Sequence, residues 1–147
     1  MRINLADSIE FTKCFEAVTG VRLDSHVSGI STDSREVENG DLYIALDGLR
    51  TNGHNYISSA ASVGCTSALV SKSQERISNI QQIVVESPLL VIGEIANYWR
   101  RKINIPIIGI TGTNGKTSTK ELIKHVMSVG KKIHSTFENY NTSIGVP

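Results

Sequence analysis

Residues 103–119 read INIPIIGITGTNGKTST, and this stretch decides the fold that the sequence predicts. Its first nine residues are apolar on both alternating faces, which is typical of a central parallel strand covered by helices on both sides. A glycine loop follows, and a helical pattern begins at or just after Lys116. Strand, loop and helix in this order predict a phosphate-binding loop. The common form of that loop has a glycine at the place of Ile110, so the loop here is shorter.

The residue types in the loop suit an anion site. Gly112 and Gly115 permit backbone angles that other residues resist, and they let phosphate oxygens approach the chain closely. The helix that follows adds backbone N–H groups and the positive end of a helix dipole. Lys116 can reach the β- and γ-phosphates, and the hydroxyl of Thr117 can bind Mg²⁺. The alternative is a glycine turn with a chance lysine, which the flanking strand and helix disfavour.

The chain before residue 103 alternates short helices and strands. Helical spacing of apolar residues predicts helices over residues 4–18, 55–63 and 89–102, with a further helix over about 117–129. Alternating or β-branched runs predict two strands within residues 29–48, separated by a polar turn at Asn39-Gly40, and further strands in TSALVS (66–71), QQIVVES (81–87) and residues 133–136.

We place a domain boundary near residues 103–105. Residues 1–104 contain enough strands and amphipathic helix to close a core, whereas residues 105–147 cannot bury both faces of a parallel sheet unaided. The predicted fold class is α/β. A small mixed α/β substrate domain is followed by the start of a P-loop domain with a parallel sheet. We expect the second domain to be truncated and the chain to be the front part of a longer protein.

Composition and charge exclude several classes of function. A net charge of +1 gives no electrostatic basis for binding nucleic acid. Cys14 and Cys65 lie far apart with no histidine at metal-ligand spacing, which disfavours a disulfide scaffold or zinc site and fits a reducing compartment. Asp7 and Glu10 stand where a signal peptide needs its apolar core, and the longest apolar run is too short to cross a bilayer. We expect a cytoplasmic protein without membrane insertion.

Several stretches resemble the Mur ligase family. GITGTNGKTST (109–119) looks like the family's ATP loop, T-G-T/S-x-G-K-T, which has this shorter form. STDSREVENGDLYIALDG (31–48) is similar to the signature of the family's first domain, and residues 49–71 continue that match. VIGEIANYWRR (91–101) resembles the helix that links this domain to the ATP domain. The resemblance covers nearly the whole chain.

The end of the chain indicates which amine the resembled enzyme would add. ENYNTSIGVP (138–147) resembles the G-N-x-N-N-x-I-G-x-P segment of the members that add D-alanyl-D-alanine, and it departs from that pattern at Glu138 and Thr142. TKEL (119–122) favours the same members. A sibling that adds lysine or diaminopimelate stays open, as does a non-catalytic module that binds a UDP-sugar or nucleotide.

The resemblance implies that the first domain holds the uridine nucleotide of a UDP-N-acetylmuramoyl peptide. Carried over by position, the contacting residues would be Thr32 and Ser34, with Leu49, Arg50 and Thr51 on the loop after the second strand. Hydroxyl groups and backbone amides can bind a uracil edge, and an arginine can pair with a diphosphate.

Three other polar residues have a structural alternative. For Asp33 and Arg35 it is an internal salt bridge or turn hydrogen bonds, and for Arg35 this is at least as good an interpretation as ligand contact. His54 is interpreted as a packed or capping histidine and not as a base.

The resemblance also implies an ATP-dependent acid–amino-acid ligase. ATP would phosphorylate the peptide carboxyl group to an acyl phosphate, and the amine of D-alanyl-D-alanine would attack it. Lys116 and Thr117 would carry catalysis, Thr117 would bind Mg²⁺, and Asn139 and Asn141 would lie in the substrate or metal region. The expected ATP-binding set is Gly112, Thr113, Asn114, Gly115, Lys116, Thr117 and Ser118. We expect a monomer whose partners are these small molecules, and no ligase activity from the 147-residue chain alone.

Overall fold

A five-stranded sheet forms the centre of the computed structural model, which describes residues 1–48 and 51–136. The strands are β1 (Arg2–Asn4), β2 (Gly29–Ser31), β3 (Asp41–Ile44), β4 (Ser67–Val70) and β5 (Gln81–Val84), and they lie in the order β1-β2-β3-β4-β5. β1 pairs antiparallel with β2, and the other neighbours pair in parallel. The predicted α/β class is confirmed.

Within the described residues, four α-helices surround or follow the sheet. They are α1 (Ser8–Thr19), α2 (Ile57–Ser62), α3 (Pro88–Lys102) and α4 (Lys116–Ser128), and a one-turn 3₁₀ helix (Gly53–Tyr56) precedes α2. α1 begins where the Asp7 carboxylate accepts the Glu10 N–H at 2.8 Å, and it ends at Gly20, whose φ is +69°.

The two faces of the sheet bury two separate cores. Side chains alternate along a strand, so Leu42 and Ile44 of β3 pack under α1 and α3, while Tyr43 packs against α2 on the opposite face. Because β3 is covered on both sides, all four of its residues are buried. The first core also holds Phe11, Cys14, Phe15, Leu23, Val27, Leu69, Ile83 and Ile95; the second also holds Val37, Ala45, Ile57, Ala60, Ala61, Cys65, Ala68, Val70 and Ile80.

A buried ion pair ties the edge strand β1 to β3. Nε of Arg2 donates to Oδ2 of Asp41 at 2.7 Å, and Nη2 donates to Oδ1 at 3.0 Å. The Asp41 side chain is fully buried, and the Glu38 N–H and the Ser28 hydroxyl also donate to it, at 2.9 and 3.3 Å. Both oxygens of the Asp41 carboxylate therefore accept hydrogen bonds, as a buried carboxylate requires.

The end of α3 holds the first residues of the connection that follows. The Arg100 guanidinium donates to the carbonyl groups of Ile103 at 2.9 Å and Ile105 at 3.3 Å. Lys102 pairs with Glu10 of α1 at 2.5 Å, and its ammonium lies 5.0 Å from the centroid of the Tyr98 ring. These contacts use the basic end of the helix for capping and packing.

Two predicted strands are wrong. None of the described residues in 103–115 or 129–136 lies in a strand. Ile105, Ile107 and Ile108 are more than half exposed, so the apolar stretch has no sheet to enter among the described residues. A parallel strand needs a neighbour for its backbone groups, and apolar composition alone cannot supply one.

The remaining differences are local. β1 was not predicted, because three residues are too few to show a period. β2 and β3 flank the turn at Asn39-Gly40, and the connection of residues 32–40 carries the chain back so that they pair in parallel. The helix predicted over 55–63 divides into the 3₁₀ turn and α2. Within residues 1–48 and 51–136, no helix is both long enough and apolar enough to cross a membrane.

Candidate functional site

Three loops meet at one edge of the sheet. Thr32 directly follows β2, residues 45–52 follow β3, and Ser71 directly follows β4. β2, β3 and β4 are parallel neighbours, so their carboxyl ends lie side by side. We call this place, formed by residues 32–34, 45–48, 51–52 and 71, the carboxyl edge. In open α/β sheets, the loops at this edge are where ligands bind.

The loop after β2 is held in place by hydrogen bonds to Met1 and by an ion pair between two of its own residues. The N–H and hydroxyl of Thr32 donate to the Met1 carbonyl at 3.0 and 3.4 Å. Arg35 forms a bidentate pair with Asp33, from Nε to Oδ1 at 2.9 Å and from Nη2 to Oδ2 at 2.6 Å. This pairing holds the pKa of Asp33 well below its usual value. The salt-bridge interpretation of Asp33 and Arg35 therefore describes the geometry, and Thr32 and Ser34 remain half-buried beside it.

The loop after β3 closes on itself. The Gly48 N–H donates to the Thr51 carbonyl at 2.9 Å, and Asp47 and Asn52 form an isolated antiparallel bridge. Thr51 is exposed. Leu49 and Arg50, which the sequence assigns to the same loop, lie outside the described residues.

Gly53 fastens the end of that loop to the sheet. Its N–H donates to the Leu46 carbonyl at 2.8 Å, and its carbonyl accepts the Tyr43 hydroxyl at 3.0 Å. A Cβ on Gly53 would lie 2.7 Å from the Leu46 nitrogen, so only glycine fits this approach. Burial raises the pKa of Tyr43 to about 12, which keeps the hydroxyl protonated as a donor.

His54 is packed, which is one of the two interpretations made from the sequence; the capping residue of the 3₁₀ turn is Asn52. The His54 side chain is buried, and its N–H donates to Oδ1 of Asn52 at 2.8 Å. Its ring reaches Ser71 on the neighbouring strand end. The sequence does not predict this ring contact, because Ser71 lies 17 residues from His54. The asparagine two residues before the histidine indicates only the local cap.

The predicted phosphate loop has the expected shape at the start of α4. Gly115 is the N-cap with φ +78°, and Gly112 has φ +148°, so both glycines adopt angles that L side chains avoid. The first backbone bond of the helix runs from the Thr119 N–H to the Gly115 carbonyl at 2.9 Å. A helix start of this kind directs amide donors and a positive dipole toward an anion.

Lys116 folds back over the same loop. Its ammonium donates to the Gly112 carbonyl at 2.6 Å and lies 3.5 Å from the Thr113 carbonyl. The positive charge of Lys116 therefore lies against the backbone of the turn formed by residues 112–116. Thr113, Asn114, Thr117 and Ser118 are exposed beside it.

The donor set of this loop fits a nucleotide phosphate better than a protein-bound metal. Within the described ranges, no group of three or more His, Cys, Asp or Glu side chains could hold a metal ion. A Cβ on Gly115 would meet no heavy atom within 4 Å, which leaves open space above the loop. A magnesium ion there would take one hydroxyl, that of Thr117, and its other oxygens from phosphate and from elsewhere.

Thr32, Ser34 and Thr51 lie at the carboxyl edge, and residues 112–118 form the turn before α4 and the first residues of that helix. Asn139 and Asn141 lie outside the described residues, as does the rest of the segment 138–147 on which the choice of amine rests.

Family models match both parts of the chain. A model described as the Mur ligase family, catalytic domain, matches residues 26–100, and one described as the Mur ligase middle domain matches residues 110–147. The first match covers the carboxyl edge, and the second begins just before the phosphate loop.

Curated relatives carry ligase names. The UDP-N-acetylmuramoyl-tripeptide--D-alanyl-D-alanine ligase of Synechocystis sp. is 38% identical over 148 residues, which is 99% of this chain and 33% of that protein. The UDP-N-acetylmuramoyl-L-alanyl-D-glutamate--2,6-diaminopimelate ligase of Fusobacterium nucleatum is 35% identical over 128 residues, which is 85% of this chain and 25% of that protein. The chain spans a third or less of the length of these relatives.

Solved structures agree with that assignment. Crystal structure I of MurF from Acinetobacter baumannii has a TM-score of 0.84 at 30% identity, over 92% of this chain and 31% of that one. The MurF ligase from Thermotoga maritima in complex with ADP has a TM-score of 0.73 at 26% identity, over 80% of this chain and 27% of that one.

Proposed function

Because this chain belongs to the Mur ligase family, we propose that it supplies the UDP-substrate domain and phosphate loop of an ATP-dependent ligase of peptidoglycan precursor synthesis. The ligase joins D-alanyl-D-alanine to a UDP-N-acetylmuramoyl tripeptide. One observation carries the proposal: loops at the carboxyl edge and a phosphate loop at the start of α4 occur in the same chain. The names of its relatives support the reaction.

The carboxyl edge is the proposed UDP-substrate site. Thr32 and Ser34 offer hydroxyl groups beside the end of β2, and Thr51 offers one from the neighbouring loop. Leu49 and Arg50 complete the proposed set by their place in the sequence. Arg35 is not included, since its guanidinium is committed to Asp33. Small hydroxyl donors on braced loops suit a uracil edge and its ribose, which present mostly oxygen acceptors and donors.

Residues 112–118, which form the turn before α4 and its first residues, are the proposed ATP site, and the complex of a MurF ligase with ADP supports nucleotide binding there. ATP supplies the phosphoryl group that activates the peptide carboxylate as an acyl phosphate. We expect Lys116 to leave the Gly112 carbonyl, to which it donates at 2.6 Å, and to place its ammonium on the terminal phosphates of ATP. Thr117 offers its hydroxyl to Mg²⁺. The protein contributes position and positive charge, which are the main terms in phosphoryl transfer.

The identity of the amine has a second candidate. The diaminopimelate-adding relative is nearly as similar to this chain as the D-alanyl-D-alanine-adding one, so the sibling reaction is a second candidate. The segment ENYNTSIGVP favours the dipeptide.

We further propose residues 1–104 as the substrate domain and residues 105–147 as the start of the ATP domain. The positions of the two family matches support this division. A monomer in the cytoplasm, where nucleotide-linked precursors and ATP are present, completes the proposal.

Phosphate release by the full-length ligase tests the reaction. The assay contains ATP, Mg²⁺, a UDP-N-acetylmuramoyl tripeptide and one amine at a time. We expect release to require D-alanyl-D-alanine. Stronger release with lysine or diaminopimelate and the shorter UDP-dipeptide would assign the sibling reaction, and release with no combination would leave only a binding module.

A further inference from the structure

The ring of His54 connects the loop after β3 to the end of β4. Its Nε2 lies 3.0 Å from the backbone nitrogen of Ser71 and 3.1 Å from the Ser71 hydroxyl oxygen. A backbone amide can only donate, so Nε2 is the acceptor in this contact. The residue is 8% exposed, which shields the bond from water.

The other ring nitrogen faces the loop. Nδ1 lies 2.9 Å from Oδ1 of Asn52 and 3.3 Å from Oδ1 of Asp47. Both oxygens are acceptors, so the ring proton belongs on Nδ1 and is donated to the loop. The imidazole therefore accepts from the sheet and donates to the loop, and exchanging these roles would break both contacts.

The backbone of His54 is held as firmly as its ring. Its N–H donates to Asn52 at 2.8 Å, and its carbonyl accepts from the Gln74 side chain at 2.6 Å. With both ring nitrogens and both backbone groups engaged inside the chain, His54 has no lone pair to offer a substrate. A role as a general base is thereby disfavoured.

The two loop residues that the ring contacts are the two that form the isolated bridge. Asp47 and Asn52 stand at the two ends of the loop, and Thr51 directly precedes Asn52. A single ring thus fixes both ends of the loop relative to β4. Such a support leaves Asp47, Gly48 and Thr51 exposed while it restricts the movement of the two ends of the loop.

We propose that His54 is a positioning residue: it holds Thr51 and the ends of the loop at Asp47 and Asn52 in the conformation that receives the uridine nucleotide. The inference rests on the proposed function for the identity of the ligand. The support of the loop itself rests on the contacts of His54 alone.

Asn52 offers a matched pair of variants for the test. Asn52→Ala removes the oxygen that accepts from both the ring and the backbone of His54, whereas Asn52→Asp keeps an oxygen at that place. We expect Asn52→Ala to weaken the binding of a UDP-N-acetylmuramoyl peptide to the chain about tenfold in calorimetry, since the loss of the two partly buried hydrogen bonds that Asn52 accepts has about that effect. Asn52→Asp should bind within about threefold of the unchanged chain. His54→Ala should match Asn52→Ala.

Nitrogen NMR of the His54 ring supplies a second readout that does not depend on the ligand. We expect a protonated Nδ1 and an unprotonated Nε2, and slow hydrogen exchange at the Ser71 amide that becomes fast in His54→Ala. The reverse tautomer, or equal binding by both Asn52 variants, would overturn the proposal. If the unchanged chain binds no UDP-substrate while the ring has the expected tautomer, the proposed function fails and the support of the loop stands.

Discussion

Arg2 and Asp41 meet in the space that Gly29 leaves by having no side chain. A Cβ on Gly29 would lie 2.6 Å from Oδ1 of Asp41 and 3.1 Å from Nη2 of Arg2. Gly29 stands between these partners in the sheet, paired with Asn4 on one side and Asp41 on the other. The smallest residue at this place therefore permits the ion pair that joins the edge strand to β3.

Replacing Gly29 with alanine should destabilise the first domain strongly. The methyl group would separate a buried ion pair, and the free energy of unfolding should fall by about 3 kcal/mol, because a buried charge without its partner is costly. Thermal unfolding followed by circular dichroism measures the change. Gly93→Ala in α3 is the matched control, since its Cβ would meet nothing within 4 Å. That variant should unfold at the same temperature or slightly higher; equal losses in both variants would contradict the explanation.

Alkaline pH should weaken the fold through Tyr43. Its pKa rises from 10.0 to about 12 on folding because it is buried, so its stabilising effect is complete below pH 10. Between these values the unfolded chain loses a proton that the folded chain keeps, and the free energy of unfolding falls by about 1.4 kcal/mol per pH unit.

The variant Tyr43→Phe separates this contribution from the rest. It should lower the free energy of unfolding at neutral pH, because the hydrogen bond to the Gly53 carbonyl is lost. Above pH 10, however, that free energy should fall less steeply with pH than in the unchanged chain. Urea titrations from pH 8 to 11.5 measure both effects. Burial also raises the pKa of Cys65 to about 11, so some slope should remain. An unchanged slope in Tyr43→Phe would contradict the assignment.

Lys116→Ala should abolish ligation in the full-length enzyme and leave its thermal stability nearly unchanged. Among the described residues, the Lys116 ammonium contacts the Gly112 and Thr113 carbonyl groups of its own loop, whereas at the phosphates it would neutralise charge that develops during transfer. Amide formation and thermal unfolding are measured together. Lys124→Ala on the same helix is the control, because its weak pair with Glu121 spans 3.9 Å at the surface. Near-normal turnover by Lys116→Ala would refute the assignment of the loop.

The 147-residue chain by itself should bind a UDP-N-acetylmuramoyl peptide weakly and form no amide. The strands that form its carboxyl edge are present, whereas the described part of residues 105–136 includes α4 but no strand before the phosphate loop. Calorimetry with the UDP-substrate and a coupled ATPase assay measure the two expectations. Thr32→Val should weaken binding further, while Thr12→Val in α1 should not. ATP-dependent amide formation by this chain would show that no further part is needed.

Features that depend on residues close together in the sequence could be predicted from it. The apolar spacing in α3 and the glycine-lysine step before α4 gave both helices within one residue of their observed bounds. The bidentate pair of Asp33 and Arg35 joins residues that are two apart, and the sequence offered this salt bridge as one interpretation of them.

Features that depend on distant residues could not be predicted in this way. The partners Arg2 and Asp41 lie 39 residues apart, and His54 lies 17 residues from Ser71. Neither pairing leaves a periodic signal in the sequence. The strand expected within residues 103–111 is absent for a related reason: apolar composition suits a buried strand, but a strand also needs neighbouring strands with which to pair.

The order of the sheet has a consequence for synthesis. Each strand from β1 to β5 lies beside the strand that precedes it in the chain, so every pairing uses a segment that has already been translated. The sheet can therefore grow one strand at a time at the ribosome, without waiting for a distant partner to close an interior gap. α3, the last element to emerge before residue 103, then covers the face that α1 leaves partly open. Ribosome-bound nascent chains should reach a protease-resistant state as soon as α3 has left the exit tunnel.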